Sequence, residues 1–198
     1  MKIVKISTKN LNEAVKVIKK GGVVIFPTDT VYGLIADAKN KTAIKKIFKI
    51  KKRSLKKPLP IFVKDLKTAK HLADINKKQE KIIKKYWPGK VTVILKAKLT
   101  KFPKGIISKD KKIGLRIPDY RFLSILLKKL NRPLAETSAN ISGKKASTKI
   151  KEVLKQFEKQ RCQPNLVLDA GNLRTSLSST VVDLIDFKIL REGGTLKI

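Results

Sequence analysis

The sequence predicts an α/β protein, a mixed, twisted, open sheet flanked by helices, and three observations carry that reading. Short apolar runs of strand character alternate along the chain with amphipathic segments of helical period. The alternation lacks a strict strand-helix-strand rhythm, which favours a mixed sheet over a purely parallel one. The 198 residues are 41% hydrophobic and 32% charged, with only ten Gly and eight Pro, a globular composition. A chain of this size buries roughly 70% of its unfolded surface. No repeat, linker or composition break marks a second unit, so residues 1–198 are read as one domain.

Each element follows from local chemistry. Lys2 to Ile6 alternates apolar and polar residues like a strand, and Asn10 with Glu13 reads as a helix cap before Ala14, Val17 and Ile18. Gly21 and Gly22 close that helix. Val23 to Phe26 is a short buried strand, followed by a Pro27-Thr28-Asp29-Thr30 turn and a strand over Val31 to Ala36. Thr42 is placed to cap a helix whose Ile44, Ile47 and Phe48 share one face, and whose solvent-facing end delivers Lys51 and Arg53. Leu59 to Val63 is strand-like. Helices over Asp65 to Leu72 and Lys77 to Tyr86 precede a break at Pro88 and Gly89. Strands follow over Val91 to Leu95 and Ile113 to Ile117. Asp119 is a cap for a helix through Leu130, Pro133 to Glu136 is extended, and Ser138 to Gly143 is a polar loop. Thr148 opens a helix toward Phe157, and Leu166 to Asp169, Val181 to Leu184 and Lys188 to Leu190 complete eight or nine strands.

Composition also bounds function. The formal net charge is +33, which points to a polyanionic partner. Of the 48 basic residues, however, 41 are Lys spread through nearly every segment and only seven are Arg. Smeared lysine is consistent with solvated faces as well as with attraction of RNA or nucleotides, so each Arg is the more informative cation. The lone Cys162 cannot form an internal disulfide and the first ten residues lack the apolar stretch of a signal peptide, so a cytoplasmic protein is expected. The longest apolar run, Val23 to Phe26, is far short of the roughly 20 residues that span a bilayer.

Several chemistries are disfavoured. One histidine, His71, on a lysine-rich helix, argues against a histidine triad or a zinc cluster. Cys162 has no CxxC partner, and neither a P-loop nor a GxGxxG fingerprint occurs. What remains is a set of polar loops that follow apolar strands. Thr28, Asp29 and Thr30 offer hydroxyls and a carboxylate at a strand end. Lys51, Lys52, Arg53 and Lys57 gather positive charge beyond a helix, where the macrodipole favours cations in any case. Ser138 to Gly143 is flexible enough for backbone amides to approach phosphates. Arg116 and Arg191 each follow an apolar run, where an unpaired charge is costly, so pairing with a structural carboxylate competes with ligand binding at both.

Together, in this order, the segments resemble the YrdC family of L-threonylcarbamoyladenylate synthases. The motifs are PTDTVYGL at 27–34, KxR with a following KPL at 51–59, WPGKVTVIL at 87–95, GLRIP at 114–118, SANISG at 138–143, STVVD at 179–183 and ILREG at 189–193. The likeness runs from about residue 10 to 193 and corresponds to the family's catalytic domain. It implies a YrdC-like fold and formation of threonylcarbamoyl-AMP and pyrophosphate from L-threonine, bicarbonate or CO₂, and ATP, with Mg²⁺ accompanying ATP and no protein metal ligands. It implies hand-over of the product to a tRNA threonylcarbamoyltransferase complex for threonylcarbamoyladenosine formation. By the same resemblance Thr30, Arg116, Ser138 and Ser179 hold threonine. Lys51, Arg53, Lys57, Asn140, Thr148 and Arg191 surround ATP, with Lys51 and Arg53 as the catalytic cations. Ser54 stands where the family usually has proline, Phe62 where some relatives have a histidine, and Lys112 where threonine is frequent.

The physics suits those roles, because a carbamate that attacks an α-phosphorus shielded by negative oxygens needs fixed cations more than a covalent nucleophile. Two other readings compete. A basic RNA- or tRNA-binding module of the same fold would bind without turnover. A carbamoyl-adenylating domain of a hydrogenase-maturation protein is opposed by the lack of zinc-finger and acylphosphatase segments.

Overall fold

The computed structural model describes residues 1–98 and 101–194. In chain order its strands are β1 (Lys2–Lys5), β2 (Val24–Phe26), β3 (Gly33–Asp37), β4 (Ile61–Phe62), β5 (Val91–Lys96), β6 (Lys112–Arg116), β7 (Leu134–Ser138), β8 (Leu166–Asp169), β9 (Thr180–Asp183) and β10 (Lys188–Arg191). The helices are α1 (Thr8–Lys19), α2 (Lys41–Lys51), α3 (Leu66–Leu72), α4 (Lys77–Tyr86), α5 (Arg121–Leu130) and α6 (Ile150–Phe157). All ten strands join one sheet in the order β1-β8-β2-β3-β7-β4-β6-β5-β9-β10. It is mixed as expected: β1, β8 and β2 run parallel, as do the pairs β4-β6 and β5-β9, and the other neighbours are antiparallel.

Three cap assignments differ from the sequence reading. Ser7 rather than Asn10 caps α1, accepting from the Asn10 amide at 3.1 Å, while the Asn10 side chain donates back to Lys5 O. Asn40 rather than Thr42 caps α2, accepting from Ala43 N at 2.9 Å. In both cases a competent cap lies two or three residues upstream and captures the free amides first. No side chain caps α5 or α6, and the Asp119 amide is itself a donor to Asp29. Asp65, read as the first residue of a helix, caps α3. The strand at 59–63 shrinks to Ile61–Phe62 because prolines at 58 and 60 cannot donate to the ladder. The extended stretch at 133–136 becomes a central strand that runs on to Ser138, so the polar loop begins one residue later than expected.

Strand alternation sorts the side chains onto two faces. One carries Val23, Ile25, Leu34, Ala36, Ile61, Val93, Leu115, Ala135, Val167 and Val182, and packs against α2, α3, α4 and α6. The other is divided. Over its first strands Val24, Phe26, Ile35, Phe62, Leu134, Leu166 and Leu168 pack against Leu11, Ala14 and Ile18 of α1 and Leu123, Leu126, Leu127 and Leu130 of α5. Over β6, β5 and β9 the same face presents Lys112, Gly114, Arg116, Thr92, Ile94, Val181 and Asp183, none of them in that apolar cluster. The candidate site stands on this uncovered half. No helix is long and apolar enough to cross a membrane among the described residues.

Candidate active site

The uncovered half forms the floor of a cavity of about 460 Å³, within the range of small-molecule sites. Its floor is Glu136, Pro60, Gly114, Ile94, Thr92 and Asp183. Its walls bring in Thr28, Thr30, Arg53, Ser138, Ser179 and Arg191 from five separate segments. Of the residues singled out in the sequence, Thr30, Arg53, Arg116, Ser138, Ser179 and Arg191 line it; Lys51, Lys57, Asn140 and Thr148 do not.

Arg116 ends β6 and is only 2% exposed. Its Nη2 donates to Asp29 Oδ1 at 2.6 Å and its Nε to Gly89 O at 2.8 Å, and its guanidinium lies 5.6 Å from the centre of the Phe62 ring. The structural carboxylate anticipated for a buried arginine is thus Asp29, in the PTDT turn. Nη1 makes no hydrogen bond among the described residues, which leaves its two N–H donors for a ligand. A Cβ at Gly89 would lie 2.5 Å from Tyr86 O, so the turn that offers this carbonyl accepts glycine alone. Phe62 is fully buried beneath Arg116 and supports the cation instead of reaching the cavity.

Arg191 and Arg53 differ from Arg116 in having no ion pair among the described residues. Arg191 donates Nε to Ser179 O and Nη2 to Ser179 Oγ, both at 3.0 Å, and Ser179 Oγ shares a 3.0 Å hydrogen bond with Thr92 Oγ1. Arg53 donates Nε to Lys57 O at 2.9 Å and Nη2 to Pro58 O at 3.2 Å, so Lys57 serves through its carbonyl while its side chain is exposed. Ser54 lies in the same exposed turn, where its Oγ accepts from Lys56 N. Lys112 also lines the cavity but is paired with Asp183 at 2.8 Å and Asp186 at 3.1 Å, which hold its ammonium above the ordinary range. In the PTDT turn Thr28 Oγ1 donates to Val31 O at 2.7 Å. The 3.0 Å contact between the Thr28 and Thr30 hydroxyls then has Thr30 as donor, and the Thr30 oxygen keeps its lone pairs for a ligand.

Lys51 is not on a solvent-facing helix end. It is 3% exposed, and its Nζ reaches Ser138 O at 2.6 Å, Asn140 Oδ1 at 2.7 Å and Asn140 O at 3.0 Å, while Ser142 N donates to Lys51 O at 2.8 Å. Burial, reinforced by Arg53, pushes this ammonium down to about 7. Ser138 Oγ donates to Asn140 Oδ1 at 2.6 Å. Lys51, Ser138 and Asn140 therefore form one hydrogen-bonded unit that fixes the loop forming the cavity wall. The helical spacing held a sign of this burial, because Lys51 continues the apolar stripe of Ile44, Ile47 and Phe48 at i+7, i+4 and i+3. Thr148 lies away from the cavity, with its carbonyl accepting from Leu173 N. His71 is exposed on α3 and meets its own helix carbonyl at Lys67. Among the described residues no group of three or more His, Cys, Asp or Glu side chains is placed to hold a metal ion.

The residue the sequence reading passed over is Glu136, a carboxylate on the cavity floor. Burial, with Asp29 adding to it, holds its carboxyl above the usual range against the pull of Arg116, Arg191 and Lys51.

Fold and cavity define an α/β protein that gathers three arginines and a set of hydroxyls around an anion-sized site without a phosphate-binding loop. The chain belongs to the Sua5/YciO/YrdC family, whose model, described as "Telomere recombination", matches residues 16–193. A protein of Methanocaldococcus jannaschii, whose name gives it threonylcarbamoyl-AMP synthase activity provisionally, is 41% identical across 97% of this chain and 93% of its own length. Threonylcarbamoyl-AMP synthase of Pyrococcus abyssi is 36% identical across 89% of this chain, which spans 52% of that longer protein. The crystal structure of P. abyssi Sua5 complexed with L-threonine superposes with a TM-score of 0.87 at 33% identity, covering 98% of this chain and 56% of that one.

Proposed function

We propose that the protein is a threonylcarbamoyl-AMP synthase, joining L-threonine, bicarbonate or CO₂, and ATP with release of pyrophosphate. The observation that carries the reading is the convergence of Arg53, Arg116 and Arg191 on one cavity beside Thr30, Ser138 and Ser179. Arg116, rigidly held with its Nη1 donors spare, takes the threonine carboxylate, and the hydroxyls of Thr30, Ser138 and Ser179 orient the rest of that amino acid. Arg53 and Arg191, with no ion pair among the described residues, take the triphosphate and stabilise the charge that grows as the carbamate oxygen joins the α-phosphorus. Mg²⁺ enters on the phosphates as part of the ATP substrate and supplies further charge neutralisation there. Lys51 and Asn140 act by fixing Ser138 and the following loop. Holding three components in one cleft removes much of the entropic barrier with no covalent intermediate.

The adenylate is then handed, in the cytoplasm, to a tRNA threonylcarbamoyltransferase complex, and the +33 charge supports approach to tRNA. A basic RNA-binding module without turnover is not favoured, because a surface tuned for RNA alone requires no buried Arg116 and no cavity lined with hydroxyls. Incubation with ATP, Mg²⁺, bicarbonate and labelled threonine is expected to yield threonine-dependent pyrophosphate and threonylcarbamoyl-AMP. Pyrophosphate release indifferent to threonine would refute the reading.

A further inference from the structure

Strand β7 places on the cavity floor a carboxylate that none of these roles uses. Glu136 and Ser138 line the cavity on one side of the strand, while Ala135 faces the opposite core. The Glu136 carboxylate makes no hydrogen bond or ion pair among the described residues, yet no polar side-chain atom is sealed there without a partner. Its oxygens therefore open on the cavity. The charged groups acting on it are Arg116 from β6, Arg191 from β10, Lys51 from α2, Arg53 just beyond α2 and Asp29 from the turn before β3. None of these cations bonds to it among the described residues: Arg116 holds Asp29 and Gly89, Arg191 holds Ser179, Lys51 holds Ser138 and Asn140, and Arg53 holds the carbonyls of Lys57 and Pro58. A desolvated carboxylate without a protein partner is complemented by a ligand that brings a cation or a donor. ATP and bicarbonate are anions, and the metal ion travels on the phosphates. The remaining cationic group is the α-ammonium of threonine, which Arg116 would anchor by its carboxylate nearby.

On the synthase reading, on which this inference rests, we propose that Glu136 receives the threonine ammonium and takes one of its protons, so that the neutral amine can attack bicarbonate. One N–H bond breaks, its electron pair stays on nitrogen, and the proton passes to a Glu136 carboxylate oxygen. That pair forms the N–C bond with the bicarbonate carbon. The C–OH bond breaks, and hydroxide leaves with one of the two remaining nitrogen protons as water, leaving the carbamate anion that joins the α-phosphorus. The upward displacement of the Glu136 carboxyl suits a proton acceptor, since an ordinary glutamate is too weak a base for an ammonium. Asp29 is excluded from this role by its ion pair with Arg116.

The test is Glu136→Gln, which keeps shape and removes the acceptor. Threonine-dependent pyrophosphate release is expected to fall about 100-fold or more. ATP formation from threonylcarbamoyl-AMP and pyrophosphate, in which no ammonium takes part, is expected to continue at the wild-type rate. The rising limb of the kcat/KM pH profile should vanish in Glu136→Gln and return in Glu136→Asp. The melting temperature at neutral pH should match or exceed that of the wild type, because the carboxylate makes no hydrogen bond or ion pair that the substitution would remove among the described residues. A wild-type forward rate, an equal loss in both directions, or a Glu136→Asp profile as flat as that of Glu136→Gln would each overturn the proposal. A wild-type protein without threonine-dependent pyrophosphate release refutes the synthase reading and this inference with it; an active wild type with an indifferent Glu136→Gln refutes this inference alone.

Discussion

Two halves of one sheet face share the same backbone and differ in what stands on it. Beneath α1 and α5 the outward positions are Val24, Phe26, Ile35 and Leu166, and the face is sealed. On β6, β5 and β9 the outward positions are Lys112, Gly114, Arg116, Thr92 and Asp183, and the face is open. A helix cannot dock where charges and hydroxyls interrupt the apolar surface, so the chemistry of the outward residues decides which half becomes core and which becomes site.

Substitutions on the two halves should therefore separate stability from activity. Arg116→Ala, at the border between them, is expected to affect both. It leaves Asp29 buried and unpaired, a loss of about 3–5 kcal/mol in denaturant unfolding, and it raises the threonine KM. Arg53→Ala, in the open half, should lower kcat by about 100- to 1,000-fold with an unchanged melting temperature. Leu126→Ala, in the sealed half, should cost about 3 kcal/mol in urea unfolding and leave kcat intact below the melting transition. A kcat loss in folded Leu126→Ala would break the comparison.

A further contrast is a pH dependence. Lys51 binds its proton less tightly in the folded protein, at about 7, than in the unfolded chain, whose ordinary value is 10.5. Between those values the unfolded chain holds more protons, so this residue makes stability rise with pH from about 7 toward 10.5; its burial penalty is full below about 7. Thermal unfolding of Lys51→Met across that window should show a shallower rise than the wild type. An identical slope would mean that Lys51 is not displaced by burial.

The fold was largely legible because its determinants are local. Val91 to Leu95 is a short β-branched apolar run and Ile113 to Ile117 alternates, and Ile44, Ile47 and Phe48 mark one helix face. The caps at Asn10 and Thr42 were misread because Ser7 and Asn40 compete for the same amides, and only the folded geometry decides between equivalent acceptors; Asp119 was misread because no side chain caps α5 and its own amide donates to Asp29. At the site, Arg53, Arg116 and Arg191 were visible as rare arginines in a lysine-rich chain. Lys51 was visible as a residue, but its burial showed only as the continuation of an apolar helix stripe, since its acceptors at Ser138 and Asn140 lie 87 and 89 positions away. Glu136 carried no motif signal. A single carboxylate in a strand acquires meaning only when the neighbouring strands leave it without a partner.

Asp29 binds Arg116 through one oxygen and the Asp119 amide through the other at 3.1 Å, just ahead of α5. That amide is shielded from solvent exchange only while the carboxylate stays in place, and the carboxylate is pinned by the guanidinium on which threonine would rest. Occupancy of the cavity is thus written into the exchange rate of a backbone proton at the edge of the sealed half. Hydrogen–deuterium exchange at Asp119 should slow when threonine is added, a readout of binding that requires no turnover.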